Sequence, residues 1–145
     1  MRVIQLRTLV EAIWGLSGQG RPQKMPSDLT ELYALHDKIK DSVFRSGTAF
    51  PTENGAKLLI NRCIRLYTGV VKAIKTYNAT DPRIRILSGE ARKNLEDAQS
   101  QDLTDVNGVN VALSLTDDML WNLHDILDRI TYEQHNKEIY TKSTS

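Results

Sequence analysis

Asp81-Pro82-Arg83-Ile84-Arg85-Ile86-Leu87 is the stretch of this chain best suited to chemistry. Two arginines one residue apart follow a turn signal and precede an apolar pair, so two guanidinium groups stand at the mouth of the element they begin. Such groups bind phosphate oxygens bidentately and stay charged at any accessible pH. Asp81 is spaced to cap a helix, with Pro82 at its first position. That sets Arg83 and Arg85 in a first helical turn, where free backbone N–H groups also favour an anion.

The surrounding charge points the same way. Residues 57–93 carry nine basic side chains against two acidic ones, and residues 94–145 carry three against ten. The formal net charge of +1 therefore hides a strong asymmetry along the chain. A basic segment suits a polyanion. A basic surface and an acidic surface on one molecule also suit head-to-tail self-association. Arg62, Arg65 and Lys72 recur on one side of the preceding helix and extend the candidate phosphate track.

At 145 residues the chain fits a single domain, 1–145, large enough for a real core. No stretch approaches the roughly 20 apolar residues of a membrane span, so no membrane partner is expected. Arg2, Arg7 and Glu11 interrupt the first apolar pattern, which does not match a secretory leader. Cys63 is alone, which excludes an internal disulfide and a multi-cysteine metal site and fits a reducing compartment.

The elements that must position the arginines are helical. Val3, Leu6, Val10 and Ile13 predict a first helix over 1–16, ended by Gly15, Gly18 and Gly20. A second is predicted over 28–46, with Asp28 and Glu31 as a capping box and Leu32, Leu35, Ile39 and Val43 on one face. His36 beside that face is read as an ordinary half-buried histidine in preference to a phosphoacceptor. The third, 56–77, has the clearest periodicity, with Leu59, Cys63, Leu66, Val70 and Ile74 on its core side. A weak, partly ordered helix follows over 82–98. Asn107-Gly108 is a strong turn signal. After it, Val109, Val111, Leu113 and Leu115 alternate as a strand would, whereas Val109, Ala112, Thr116, Met119, Leu123, Leu127 and Ile130 fit one long helix. The helix, 109–135, is preferred because no second strand is evident to pair with a first. A frayed polar tail is expected over 136–145. Together these predict an all-α antiparallel four-helix bundle with short connections.

The pattern Asp81-x-Arg83-x-Arg85-Ile86-Leu87 resembles the RNA-binding stretch in coat proteins of rod-shaped plant RNA viruses, the tobamovirus-like family. The order of elements agrees, and Ile139-Tyr140-Thr141-Lys142-Ser143 is similar to a terminal segment of that family. The resemblance implies a structural capsid protein in a four-helix fold, polymerising helically around single-stranded RNA. It implies no enzymatic activity and no cofactor, and a place in the virion and the host cytoplasm. Asp81, Arg83 and Arg85 are the residues it carries over. Where the family has an arginine and a carboxylate early in its last helix, this chain has Asn107, Gly108, Val109 and Asn110. The family's paired carboxylates have no assigned counterpart here.

Two enzyme readings compete. Thr116-Asp117-Asp118-Met119 is similar to the second metal-binding motif of all-α Mg-dependent nucleotide pyrophosphohydrolases, whose chemistry also needs a Glu-x-x-Glu pair on an earlier helix. Glu90, Glu96 and Asp97 are the nearest candidates and have the wrong spacing. Arg129 and His135 are separated as in some helical RNases. A helical protein-interaction adaptor is the remaining reading, and no metal ligands are assigned.

Overall fold

A computed structural model describes residues 25–41 and 52–144, with side chains to Lys137. The predicted helix 1–16 and residues 42–46 of the second predicted helix lie outside the described residues. Four helices are described: α1, Ser27–Lys40; α2, Glu53–Thr76; α3, Pro82–Gln99; and α4, Val106–Thr144. The fold is an all-α bundle, and no strand occurs among the described residues.

Side-chain pairings fix the helix directions. Asn94 on α3 donates to Asn122 on α4 at 3.0 Å, and Arg129 reaches back to Asp81 at the start of α3, so these two helices are antiparallel. On the α1–α4 seam Tyr33 meets Asp128 and Lys40 stacks over Trp121, again antiparallel. Asp28 at the start of α1 accepts from the Tyr77 hydroxyl at the end of α2, completing an up-down arrangement. The core is one continuous cluster drawn from all four helices, including Leu29, Leu66, Leu87, Leu123 and Ile130. Residues recurring three and four apart put these side chains on facing stripes, and their removal from water drives the assembly.

Local bonds set both ends of α2. The Thr52 hydroxyl accepts from the Gly55 N–H at 3.0 Å, so α2 begins three residues ahead of its predicted start. Asn78, at φ 49°, ends it in a left-handed turn, with Ala79 N–H bonded to the Ile74 carbonyl and Asn78 N–H to that of Lys75. This is a Schellman closure, and asparagine tolerates the conformation better than most residues. The capping box expected at Asp28 does not form. Asp28 accepts from the neighbouring Leu29 N–H and from Tyr77 instead, and α1 starts at Ser27 without a side-chain cap.

Two further expectations are corrected, and between them the preferred helix over 109–115 is the one that forms. α3 is a regular helix, because Ile84, Leu87, Ala91, Leu95 and Ala98 are all buried and two of them are small enough to let α4 approach closely. Residues 109–115 are helical: Val109, Ala112 and Thr116 are buried at helical spacing while Val111 is 45% exposed, whatever their alternation in sequence. The tail continues α4 through Thr144, since Gln134 and Lys137 both donate to the Tyr77 carbonyl at 3.2 Å and hold the helix against the α2–α3 turn.

Gly108 lies inside α4 and not in the expected turn, which falls earlier, at residues 103–105. A Cβ at this position would come within 1.9 Å of the Asp102 carbonyl oxygen, so the glycine is required by close approach. Gly108→Ala is expected to cost about 1–3 kcal/mol, read as a lower midpoint in denaturant titration with an unchanged slope.

Cys63 is fully buried, and burial pushes its thiol up to about 12. It is a small core hydrophobe and no nucleophile.

Candidate nucleic-acid interface

α3 opens as its sequence dictates. The Asp81 carboxylate accepts from the Arg83 N–H at 2.9 Å, and Pro82 occupies the first helical position. The Ile84 N–H is bonded to the Asp81 carbonyl at 3.0 Å. These bonds correct one expectation: the donors at this helix start are already engaged, or in Pro82 missing, so an anion would be held by the side chains and not by the peptide groups.

Arg83 and Arg85 are exposed, and neither guanidinium takes part in an ion pair among the described residues. Ile84 and Leu87, between and beyond them, are buried. The alternation of exposed arginine with buried aliphatic anchors the first turn while turning both charges to solvent. Arg85 lines an open groove of about 580 Å³ between α2 and α3, together with Lys75, Thr80, Asp81 and Ser88.

The turn before the arginines is clamped by α4. One Glu133 carboxylate oxygen accepts from the Thr80 N–H at 2.9 Å and the Thr80 hydroxyl at 3.0 Å, and the other from the Asp81 N–H at 3.0 Å. Arg129 donates to Asp81 at 2.8 Å and to Asp125 at 2.9 Å. Asp81 is thus spent on cap and clamp, and its part in the site is to position Arg83 and Arg85. Asp125, Asp128 and Glu133 face protein partners, so less of the C-terminal acidic charge is free for a neighbouring subunit than the sequence count implies.

Burial alone would raise the Asp81 carboxyl, but the hydrogen bonds from Arg129 and the Arg83 N–H, with the charges of both arginines, hold it below the usual carboxylate range. A carboxylate with a depressed folded pKa stabilises the fold above its unfolded value, near 4, and loses that contribution as pH falls through the folded value. Acidifying below about pH 4 is therefore expected to destabilise the parent chain more than Asp81→Asn, which keeps the cap and has no carboxyl to protonate. Urea titrations of both proteins at neutral and acid pH measure the difference.

The remaining predicted residues do not join this group. Arg65 and Lys72 are exposed along a separate groove of about 310 Å³ between α1 and α2, where Asp28 and Glu31 sit opposite them. Arg62 is half-buried and lines neither groove. The basic residue that does stand beside Arg85 is Lys75, one turn along α2 from Lys72, which the sequence reading left out of the track. Its signal was present, three residues from Lys72 and next to the turn, but helical spacing alone does not say which edge of α2 faces α3.

The residues of the enzyme readings fall as follows. Asp118 is exposed and Asp117 half-buried; burial pushes the Asp117 carboxyl up, with Lys40 pulling it down and Asp118 adding to the rise. Glu90 accepts from Asn122, and among the described residues no group of three carboxylates converges on a common point. Arg129 is held from two sides by carboxylates, and His135 is buried in the bundle.

The sequence reading missed the buried polar seam between α1 and α4. Tyr33 donates to Asp128 at 2.6 Å and lies 3.3 Å from the Thr131 hydroxyl. The His124 and His36 rings lie beside them, tilted 50° to each other with centroids 4.7 Å apart. The i,i+4 spacing of His124 and Asp128 was the one local signal for it.

No family model, no curated protein and no solved structure matches the chain.

Proposed function

We propose that this protein is a structural coat subunit that assembles helically around single-stranded RNA and grips the phosphate backbone without reading bases. The observation that carries this reading is the pair of exposed guanidinium groups of Arg83 and Arg85, in no ion pair among the described residues and held in a first helical turn whose approach is fixed by Glu133 and Arg129. Lys75 beside Arg85 adds a third positive charge. The likeness of Asp81–Leu87 to the RNA-binding stretch of rod-shaped plant virus coat proteins supports the same reading.

The physics then requires a polymer. A few phosphate contacts bind weakly and with strong salt dependence. Tyr67 and Tyr77 are the only aromatic side chains in the flanking segment, and the Tyr77 hydroxyl is engaged by Asp28, so base stacking adds little. Affinity must come from many subunits on one strand, each raising the effective concentration of the next. Leu58, Ile86, Val106 and Val111 are exposed apolar side chains available for the lateral contacts this entails.

The test is purification of the recombinant chain without nuclease, followed by negative-stain microscopy and the ultraviolet absorbance ratio of nucleic acid to protein. Rods or stacked discs carrying nuclease-protected RNA are the expected result. A monodisperse, RNA-free species that stays so when single-stranded RNA is added at low salt would sink the reading.

A further inference from the structure

On the α1–α4 seam, away from the arginine pair, His36, Asp37 and His124 each offer a ligand atom, and these atoms all lie within 4.8 Å of one another. We propose that this seam is a site for a divalent first-row transition-metal ion of the zinc class. One ring nitrogen each of His36 and His124 and a carboxylate oxygen of Asp37 bind the ion, and Asp128 orients His124. The site is independent of the RNA reading.

Unsatisfied polar atoms point to a missing partner. Among the described residues His36 Nε2 is buried without a hydrogen-bond partner, while His124 Nδ1 and Asp128 Oδ2 face each other at 3.3 Å without a well-aligned bond. A buried polar atom left in this state costs about 1–3 kcal/mol. A cation between the two rings would give His36 Nε2 the partner it lacks, while Asp128 keeps its place at His124 Nδ1. The His36 and His124 side chains are only 5% and 7% exposed.

The donor set matches the chemistry. Two imidazoles and a carboxylate suit zinc and its neighbours better than the oxygen-only cages of calcium or magnesium. Ligands about 2.1 Å from a tetrahedral ion stand roughly 3.4 Å apart, so side-chain shifts of an ångström or so close the set. A carboxylate turned to a ring nitrogen of a ligating histidine is the usual device for fixing that ring, and Asp128 stands in that place. The two carboxylates balance a double positive charge in the seam. The Asp37 side chain is 51% exposed, which leaves an entry path and a side from which water supplies the fourth ligand.

The ion would bind α1, only 14 residues long, to α4. It binds the folded chain and not the unfolded one, so it raises stability.

The full chain, stripped with chelator, is titrated with zinc chloride by calorimetry and followed by thermal unfolding, with cobalt(II) absorption reporting coordination geometry. One ion per chain is expected, with a rise in the unfolding midpoint of roughly 5 °C at a hundredfold excess over Kd. His36→Gln and Asp37→Asn should each weaken binding at least about tenfold. Asp37→Asn alters an exposed side chain, so it keeps the test alive if His36→Gln does not fold. Absence of a zinc-dependent shift in the parent chain, or equal affinity in parent and Asp37→Asn, overturns the assignment. RNA retention is read separately and does not enter either outcome.

Discussion

Replacing Arg83 and Arg85 together by alanine is expected to strip RNA from the purified protein while leaving its helix content and unfolding midpoint unchanged to within about 0.5 kcal/mol. Both side chains are exposed and neither is ion-paired among the described residues, so their removal leaves no buried charge behind and opens no cavity. On the proposed function, what is lost is two phosphate contacts per chain. On single-stranded nucleic acid each neutralised phosphate contributes about 0.7 to the slope of log affinity against log salt, so the slope per bound subunit should fall by about 1.4. Over a polymer that deficit multiplies along the strand, and the expected outcome is loss of retention rather than mild weakening. Filter binding across a salt series, with circular dichroism of the same samples, measures both halves of the prediction. Arg62→Ala is the internal control: Arg62 lines neither basic groove, and its loss should leave the slope nearly unchanged. Retention that survives in the double variant would move the grip elsewhere, and unfolding of that variant would make the two arginines structural.

The largest expected effect on stability comes from Asp128. This side chain is 0% exposed, accepts from the Tyr33 hydroxyl at 2.6 Å, and stands 3.3 Å from His124. Asp128→Ala removes the acceptor and leaves a buried phenol and a buried imidazole without it, at an expected cost of about 3 kcal/mol. That is a large share of the roughly 5–15 kcal/mol that holds a domain together. Tyr33→Phe should cost about 2 kcal/mol through the same bond seen from the other side. Because the two residues share one interaction, the double variant should cost clearly less than the sum of the singles. Urea denaturation of the four proteins gives the coupling. Strict additivity would mean that the Tyr33–Asp128 bond contributes nothing to holding α1 on α4.

Local chemistry made much of the bundle legible. The core stripe of α2 and the cap at Asp81 with Pro82 follow from residue spacing, because period and capping are short-range effects. Three features required the folded chain. The alternation of Val109 to Leu115 left a strand open beside the preferred helix, and packing against α3 is what decides for the helix. The extent of α4 past Ile130 depends on Gln134 and Lys137 finding the Tyr77 carbonyl, a bond that no apolar period announces. The candidate interface was legible in its arginines and illegible in its frame. Glu133, Arg129 and Lys75 are charged residues among many, and only their position against the α2–α3 turn gives them a role. Arg65 and Lys72 show the converse, since good spacing placed them on the other edge of α2.

The bonds from Glu133 to Thr80 and Asp81 join positions 53 and 52 residues apart in the chain. Closing so long a loop demands entropy that only a docked α4 repays. While the chain is being synthesised, the turn that aims the arginines emerges well before the residues that lock it. The geometry of the arginine turn therefore matures last, so a half-made chain holds these charges loosely and only a finished one fixes their positions.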